Sequence, residues 1–293
     1  MKFRAACVQL SPRKADVPSN IQRIAEVALG AYQEGADLCV FPETAVSGYF
    51  LQGGVGDVAM SANELAEMMR QAFPAPPDKE LDLIVGFYEN ADGIYYNSSA
   101  HIHFASNRAT VLHVHRKFFL ATYGVFDEER FVARGTEICA YETRFGKFSM
   151  LICEDVWHSI TPTVSVLKGA ECVVALVASP VRGFSGETFG NLDRYERMLR
   201  AIAEEHGVWV LSSMLVGFEG GKGFSGGSVI LNPFGEMRGK GPELEEHVLM
   251  GEVDMSEIKI ARSQFPGISD LRGVLEDVLR ELSEVTEEKC EEA

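Results

Sequence analysis

A thiol, a carboxylate and an ammonium group each stand at the end of an apolar run in this sequence. Cys153 lies in LICEDVW, Glu43 in VFPETAVSGY and Lys117 in HRKFFL. A thiolate can attack an electrophilic carbon, a carboxylate can take the thiol proton, and an ammonium can stabilise an oxyanion. Each residue alone has a commoner structural explanation, because free cysteines are often buried, loop glutamates are usually solvated and lysines usually reach solvent along their stems.

The sequence around Cys153 indicates a turn between a strand and a helix. The apolar segment Phe148–Ile152 predicts a strand, and a polar stretch follows it. Proteins of the α/β class place ligands at the carboxyl ends of their strands. Backbone N–H groups at such a turn would lower the pKa of the thiol and bind a developing oxyanion. Glu43 also lies just past a buried strand, and Lys117 ends another.

The elements that must position these residues are short apolar strands alternating with amphipathic helices. Together they predict α/β layers around mixed sheets. The predicted strands are Phe3–Leu10, Ala36–Phe41, Leu81–Tyr88, Asn97–Phe104, Ala109–His115, Phe148–Ile152, Cys172–Ala178, Val208–Ser213, Gly227–Leu231 and Val248–Val253. The predicted helices are Ile21–Glu34 with Ser19 or Asn20 as its cap, Ala62–Ala72, Thr163–Gly169, Tyr195–His206 and Ile268–Ser283.

The chain of 293 residues reads as one domain over residues 1–283, followed by an acidic, solvated tail over residues 284–293. Its 27 basic and 43 acidic residues give a net charge of −16, which argues against nucleic acid and anionic membrane surfaces as partners.

No apolar stretch is long enough to span a bilayer, and no signal peptide is evident. Scattered cysteines without a C-x-x-C pair predict a reducing compartment, so we expect a cytoplasmic protein.

Two further patterns are weaker. His101 and His103 on one predicted strand, with His113 and His115 on its neighbour, could suggest zinc. A hairpin paired symmetrically about residues 105–108 would put the two pairs on opposite faces, so we expect no metal site there. The glycine-rich segment at residues 220–228 lacks the spacing of a phosphate-binding loop and predicts a flexible loop.

In chain order the three motifs read FPE, KFFL and CED, and this order resembles the nitrilase superfamily of carbon–nitrogen hydrolases, whose site is a Glu–Lys–Cys triad. Glu43 and Lys117 are 74 residues apart, and Lys117 and Cys153 are 36 apart. The resemblance runs from Cys7 to Asp254. Cys-Glu-Asp, Trp157 and the tripeptide ASP at residues 178–180 resemble the glutaminase domain of glutamine-dependent NAD synthetases.

The resemblance implies a four-layer α-β-β-α sandwich and a stand-alone amidase that forms a homodimer or larger homo-oligomer. Its substrate would be a small linear carboxamide, with no metal or organic cofactor. Cys153 would be the nucleophile and Glu43 the general base, with Lys117 and the backbone N–H of Glu154 on the oxyanion. The second glutamate of the family, which orients the lysine, would be Glu128 by its F-D-E-x-R pattern. Expected substrate-binding residues are Tyr49, Glu154, Trp157, Ser179 and Arg182.

Several alternatives stay open at this point. The same triad could serve an N-carbamoyl amine or amino-acid hydrolase, or a nitrile hydrolase. From a different class, the chain could be a non-catalytic scaffold, or a glutaminase subunit that depends on a synthetase partner. Arg182, which follows Ser179 and Pro180, could receive a substrate carboxylate and so favour glutamine-like or dicarboxylic monoamides.

Overall fold

Apolar strands form two six-stranded mixed sheets in the computed structural model, which describes residues 1–73, 79–185 and 188–291. The first sheet has the order β16-β1-β2-β3-β4-β5, in which β1, β2 and β3 run parallel and the other pairs are antiparallel. Its strands are β1 (Lys2–Gln9), β2 (Leu38–Val40), β3 (Leu81–Ala91), β4 (Ile94–Ala105), β5 (Arg108–Arg116) and β16 (His247–Asp254).

The second sheet has the order β15-β14-β11-β8-β7-β6, with β7, β8 and β11 parallel. Its strands are β6 (Tyr141–Thr143), β7 (Gly146–Ile152), β8 (Cys172–Val177), β11 (Trp209–Met214), β14 (Val229–Leu231) and β15 (Met237–Lys240). Two small hairpins are formed by β9 (Phe184–Ser185) with β10 (Thr188–Phe189), and by β12 (Val216–Glu219) with β13 (Lys222–Ser225).

Helices cover the outer face of each sheet, and the inner faces pack on one another. The described helices are α1 (Val17–Gln33), α2 (Val55–Val58), α3 (Ala62–Ala72), α4 (Ile160–Leu167), α5 (Gly190–His206), α6 (Ser256–Gln264), α7 (Gly267–Gly273) and α8 (Leu275–Glu291). One apolar core lies between the two sheets, and a second lies between the first sheet and helices α1 and α3. Alternate residues of β1 contribute to each of them, because Cys7 packs between the sheets and Val8 packs under the helices. A third core lies between the second sheet and α4 and α5. The predicted four-layer α-β-β-α sandwich is therefore confirmed.

Four of the five predicted helices differ from the structure in their bounds. The helix predicted over residues 163–169 spans Ile160–Leu167, and the helix predicted over residues 195–206 already begins at Gly190. The first helix begins at Val17, and its cap is Asp16, whose side chain accepts a hydrogen bond from the N–H of Ser19. Asn20 is instead buried and ties this helix to the loop at Val46. The single helix predicted over residues 268–283 is two helices, because Val274 leaves the helical conformation directly after Gly273. The second of them continues to Glu291, into the range expected to be a tail.

The histidine-bearing hairpin of β4 and β5 departs from symmetric pairing. Its register shifts between His101 and Ile102, so that His101 lies opposite His113. Both rings contact Tyr141 on the second sheet, and His115 also reaches that side. The prediction that the two pairs face opposite ways is therefore wrong, because the bulge carries one extra residue. Within the described ranges, no group of three or more His, Cys, Asp or Glu residues could hold a metal ion.

No helix in the described part of the chain combines the length and apolar character needed to cross a bilayer.

Candidate active site

The candidate site lies where strands of both sheets end. Glu43 follows β2 in the first sheet, and Lys117 follows β5 at the edge of that sheet. Cys153 follows β7 in the second sheet, and Ala178 follows its neighbour β8. Because the sheets pack face to face, chain segments far apart in sequence meet at this end of the sandwich.

The ammonium of Lys117 lies between two carboxylates. Its Nζ donates to Oε1 of Glu43 at 2.8 Å and to Oε1 of Glu128 at 2.7 Å. All three side chains are buried, and Lys117 is only 1% exposed. A lysine is seldom buried without a partner, and here the two carboxylates supply its counter-charge.

Neighbouring donors fix both carboxylates. The amide of Asn97 donates to Oε1 of Glu43 at 2.8 Å and to Oε1 of Glu128 at 3.2 Å. The Tyr49 hydroxyl donates to the same oxygen of Glu128 at 2.8 Å, and the N–H of Ala121 donates to its Oε2 at 2.7 Å. Glu128 thus has hydrogen bonds on both oxygens, which suits a group that orients Lys117.

Glu43 and Cys153 are linked through Ala178. The N–H of Ala178 donates to Oε2 of Glu43 at 2.7 Å, and its carbonyl oxygen lies 4.0 Å from Sγ of Cys153. Cys153 begins a 3₁₀ turn over Cys153–Trp157 and has φ of +46°, a conformation that costs energy for a residue with a side chain. Such strain at a turn between strand and helix is typical of functional positions.

The carboxylate of Asp155 holds the turn of Cys153 against the strand end of Lys117. Its Oδ2 accepts from the N–H of Ile152 at 2.9 Å and contacts Nε2 of His115 at 2.9 Å. Its Oδ1 accepts from the N–H groups of Phe118 and Phe119 at 3.0 and 2.8 Å. One fully buried carboxylate therefore connects the segments that carry the thiol and the ammonium.

Gly86 of β3 lets the turn that carries Glu43 lie directly on the sheet. A Cβ at this position would lie 2.4 Å from the carbonyl oxygen of Pro42, 2.5 Å from the nitrogen of Thr44 and 2.7 Å from Cα of Glu43. Only glycine permits this approach without movement of the backbone.

The buried charges alter one another's protonation. Burial raises the pKa of Glu43 above its ordinary value, and the neighbouring Glu128 adds to the rise while Lys117 opposes it. Burial alone would lower the pKa of Lys117, but Glu128 and Glu43 raise it well above its usual range, so this group stays charged. The lowered thiol pKa expected from the turn is not found, because burial and the charge of Glu43 raise the pKa of the Cys153 thiol. The thiol therefore needs a base to take its proton.

The structure places the expected substrate-binding residues in two groups around the thiol. Tyr49 lies on Glu128, and the Trp157 ring packs at 5.2 Å and 89° against Tyr195, whose hydroxyl is 3.1 Å from Sγ of Cys153. The Nε1 atom of Trp157 is buried and has no hydrogen-bond partner among the described residues.

The second group surrounds Tyr123. The Tyr123 hydroxyl donates to Oε2 of Glu154 at 2.7 Å, and the guanidinium of Arg182 lies 5.6 Å from the Tyr123 ring centre. Asn191 accepts from the N–H of Arg182 and donates to Oγ of Ser179 at 3.0 Å. These contacts connect Glu154, the neighbour of Cys153 in the chain, to Arg182 through Tyr123, and Arg182 to Ser179 through Asn191.

A cavity of about 400 Å³ opens on the side of Glu128 that carries Tyr49. Its described lining is mostly apolar and includes neither Cys153 nor Lys117, so the cavity meets the site at Glu128. Lining residues include Tyr49, Phe50, Val55, Tyr88, Phe126 and Val132.

Sequence reasoning missed four contributors to this site. Asn97 and Tyr195 lie inside a predicted strand and helix, where the sequence pattern gives no sign of their contacts. Ala178 acts through its backbone. Asp155 was visible in the CED motif, but its role depends on four donors from three segments.

Comparisons with known proteins bear on the family and the fold. The family model described as carbon–nitrogen hydrolase matches residues 4–263. A glutamine-dependent NAD(+) synthetase from Acinetobacter baylyi is 31% identical over 257 residues, covering 87% of this chain and 45% of that protein. The chain thus spans about half the length of this curated relative.

Two other proteins resemble the chain over nearly their whole length. An N-carbamoylputrescine amidase from Arabidopsis thaliana is 26% identical, covering 90% of this chain and 91% of the relative. The crystal structure of a carbon–nitrogen hydrolase from Helicobacter pylori superposes with a TM-score of 0.79 and 22% identity, covering 95% of this chain and 99% of that one. At that identity the structural likeness shows the fold alone.

Proposed function

This chain belongs to the carbon–nitrogen hydrolase family, and we propose that it hydrolyses a small linear carboxamide to a carboxylic acid and ammonia through a thioester on Cys153. The observation that carries the proposal is the arrangement around Ala178, whose N–H binds Glu43 and whose carbonyl adjoins the thiol. A buried base, a buried thiol and a buried ammonium thus share one end of the sandwich.

Acylation begins with transfer of the thiol proton to Glu43. Burial raises the pKa of both the thiol and the Glu43 carboxyl. The proton therefore passes between two buried groups while the sulfur attacks the amide carbon. The S–C bond forms, the C–N bond breaks, and Glu43 returns the proton to the departing ammonia.

Lys117 stabilises the oxyanion of the tetrahedral intermediate. Two of its three ammonium hydrogens go to Glu43 and Glu128, and we assign the third to the carbonyl oxygen of the substrate. The N–H of Glu154, which follows the nucleophile in the turn, is the second donor. Glu128 fixes Lys117 in this role through Oε1, which also accepts hydrogen bonds from Tyr49 and Asn97.

Water completes the cycle. Glu43 takes a proton from a water molecule, whose oxygen bonds to the thioester carbon. The C–S bond then breaks, the acid leaves, and Cys153 regains a proton from Glu43.

The wall formed by Glu154, Tyr123 and Arg182 suits a substrate with polar groups at its far end. A carboxylate would pair with Arg182 and an ammonium group with Glu154, so we favour glutamine-like amides or dicarboxylic monoamides. The name of the Acinetobacter relative, a glutamine-dependent enzyme, supports this choice. The buried N–H of Trp157 offers a further hydrogen bond.

The Arg182→Ala variant tests this substrate class. We expect it to lose the preference for acidic over neutral amides, whereas Arg197→Ala, which removes an exposed arginine of α5, should keep it. An unchanged preference in the Arg182 variant would show that this residue does not select substrates by their carboxylate.

An N-carbamoyl amine or amino acid is the second candidate substrate. The Arabidopsis relative supports it, because that resemblance covers both chains almost completely.

Three further proposals concern the reaction, a partner and the assembly. They are hydrolysis of a nitrile by the same triad, dependence on a synthetase partner as its glutaminase subunit, and assembly into homodimers or larger homo-oligomers. Light scattering tests the assembly, and a pull-down that recovers an ATP-dependent ligase would favour the subunit.

Ammonia release from a panel of amides, carbamoyl compounds and nitriles tests the proposed reaction. We expect turnover of amides that carry a carboxylate, and its loss in Cys153→Ala, while Cys139→Ala retains it because that half-buried cysteine lies outside the site. Turnover of carbamoyl compounds alone would favour the second candidate. A Cys153→Ala variant as active as the wild type would refute the mechanism.

A further inference from the structure

The hydroxyl of Tyr195 lies 3.1 Å from Sγ of Cys153, within hydrogen-bond distance of the proposed reacting atom. Tyr195 belongs to α5, and its ring is buried at 1% exposure among the apolar residues under that helix. The Trp157 ring packs edge-on against it. These contacts from the helix and from the turn leave the hydroxyl aimed at the thiol.

The direction of this hydrogen bond follows from the proposed chemistry. Once Glu43 has taken the thiol proton, the sulfur has no hydrogen to donate. Tyr195 keeps its own proton, because burial and the neighbouring Cys153 raise its pKa well above the ordinary value. The contact is then O–H to thiolate, and hydrogen bonds to a charged partner are shorter and stronger than neutral ones.

We propose that Tyr195 is a further catalytic residue, whose hydroxyl donates a hydrogen bond to the sulfur of Cys153 and stabilises the thiolate. The inference rests on the proposed function and deepens it. In a turn where Cys153 already has a positive φ, this bond also fixes the sulfur at the end of β8, beside the carbonyl of Ala178.

The hydrogen bond from Tyr195 acts both when the thioester forms and when it is hydrolysed. During acylation it supports the sulfur while the thiol proton passes to Glu43 and the S–C bond forms. During deacylation the water oxygen bonds to carbon, the C–S bond breaks and the sulfur keeps the electron pair, so the departing thiolate receives the hydrogen bond. Loss of the hydroxyl should therefore slow thiolate departure and let the acyl-enzyme accumulate.

Alkylation of Cys153 by iodoacetamide tests the inference without any amide substrate. We expect Tyr195→Phe to shift the pH midpoint of alkylation upward and to slow the reaction at neutral pH about tenfold, the effect of losing a hydrogen bond to a charged group. Peptide mass spectrometry separates Cys153 from the half-buried Cys139. Tyr141→Phe is the matched control, since it removes a tyrosine hydroxyl that binds His101 rather than the thiol.

Two outcomes would overturn the inference. One is an unchanged alkylation profile in Tyr195→Phe, and the other is a midpoint shifted downward, which would make the thiol the donor. Should the phenylalanine variant fail to fold, 3-fluorotyrosine at position 195 keeps the packing and strengthens the donor, so the midpoint should fall, and no change would refute the bond. An upward shift of the midpoint in a protein that hydrolyses no amide would support the hydrogen bond from Tyr195 to the thiolate and reject the proposed function.

Discussion

The close approach of Gly86 to the turn of Glu43 gives a sharp test of how the site is positioned. In Gly86→Ala the new Cβ would lie 2.4 Å from the carbonyl oxygen of Pro42, whereas real Cβ contacts are essentially never shorter than 3.0 Å. The three nearest atoms all belong to the backbone of Pro42, Glu43 and Thr44, so no flexible side chain can relieve these contacts. The turn must therefore move by at least about 0.6 Å.

This displacement should affect both stability and catalysis. Overpacking a close-packed site costs about 1–3 kcal/mol of the free energy of unfolding. A misplacement of about 1 Å costs on the order of a hundredfold in rate, so we expect kcat/KM to fall about tenfold to a hundredfold. The loss arises because the turn carries Glu43, whose Oε1 and Oε2 must reach Lys117 and Ala178 together.

Urea unfolding and kcat/KM are measured on Gly86→Ala and on a matched control, Gly30→Ala. Gly30 lies inside α1, and no atom lies within 4 Å of its added Cβ. Alanine there should stabilise the helix by about 0.5–1 kcal/mol and leave activity unchanged. If Gly86→Ala were as stable and as active as the wild type, the claim that the sheet fixes Glu43 by direct contact would be refuted.

Three other predictions concern the buried charges. In Asp155→Asn, two of the four donors lose their acceptor in either orientation of the amide. Urea unfolding should therefore show a free energy of unfolding lower by about 2–6 kcal/mol. The control Asp57→Asn, at an exposed position, should show no such decrease. The base form of Glu43 exists above its pKa, and because that pKa is raised, kcat/KM should fall on acidification at a higher pH than an ordinary glutamate would give; a profile that stays flat down to about pH 4 would contradict this. Lys117→Met leaves two buried carboxylates without their cation, so the free energy of unfolding should fall by about 3–5 kcal/mol. Loss of the oxyanion donor should also lower kcat at least a hundredfold. Near-normal turnover would exclude Lys117 from the oxyanion site.

The sequence predicts the layers of this fold well, because strands and helices leave different periodic patterns. The apolar runs that become β1, β7 and β8 and the amphipathic helices around them mark which faces are buried. Residues that follow such strands can be singled out as site candidates, and Glu43, Lys117 and Cys153 all end apolar runs. Their convergence depends on how two sheets pack, which no local pattern records.

Features that depend on register or on single contacts escape the sequence. The bulge at His101 shifts one half of the hairpin by a residue, and no turn signal announces it. Gly273 is a visible helix breaker, yet the apolar spacing across it continues and hides the break between α7 and α8. Tyr195 occupies the apolar face of α5, where a tyrosine looks like core, and only the packing of that helix brings its hydroxyl to a thiol 42 residues away.

The most direct test of the account is the mass of the enzyme during turnover. The wild type and Cys153→Ala are quenched in acid during incubation with the best amide of the panel, and peptides are then mapped. We predict an adduct equal to the substrate minus ammonia on the peptide that contains Cys153, and no adduct in Cys153→Ala. An adduct on another residue, or full turnover by Cys153→Ala, would contradict the central claim that this thiol carries the acyl group.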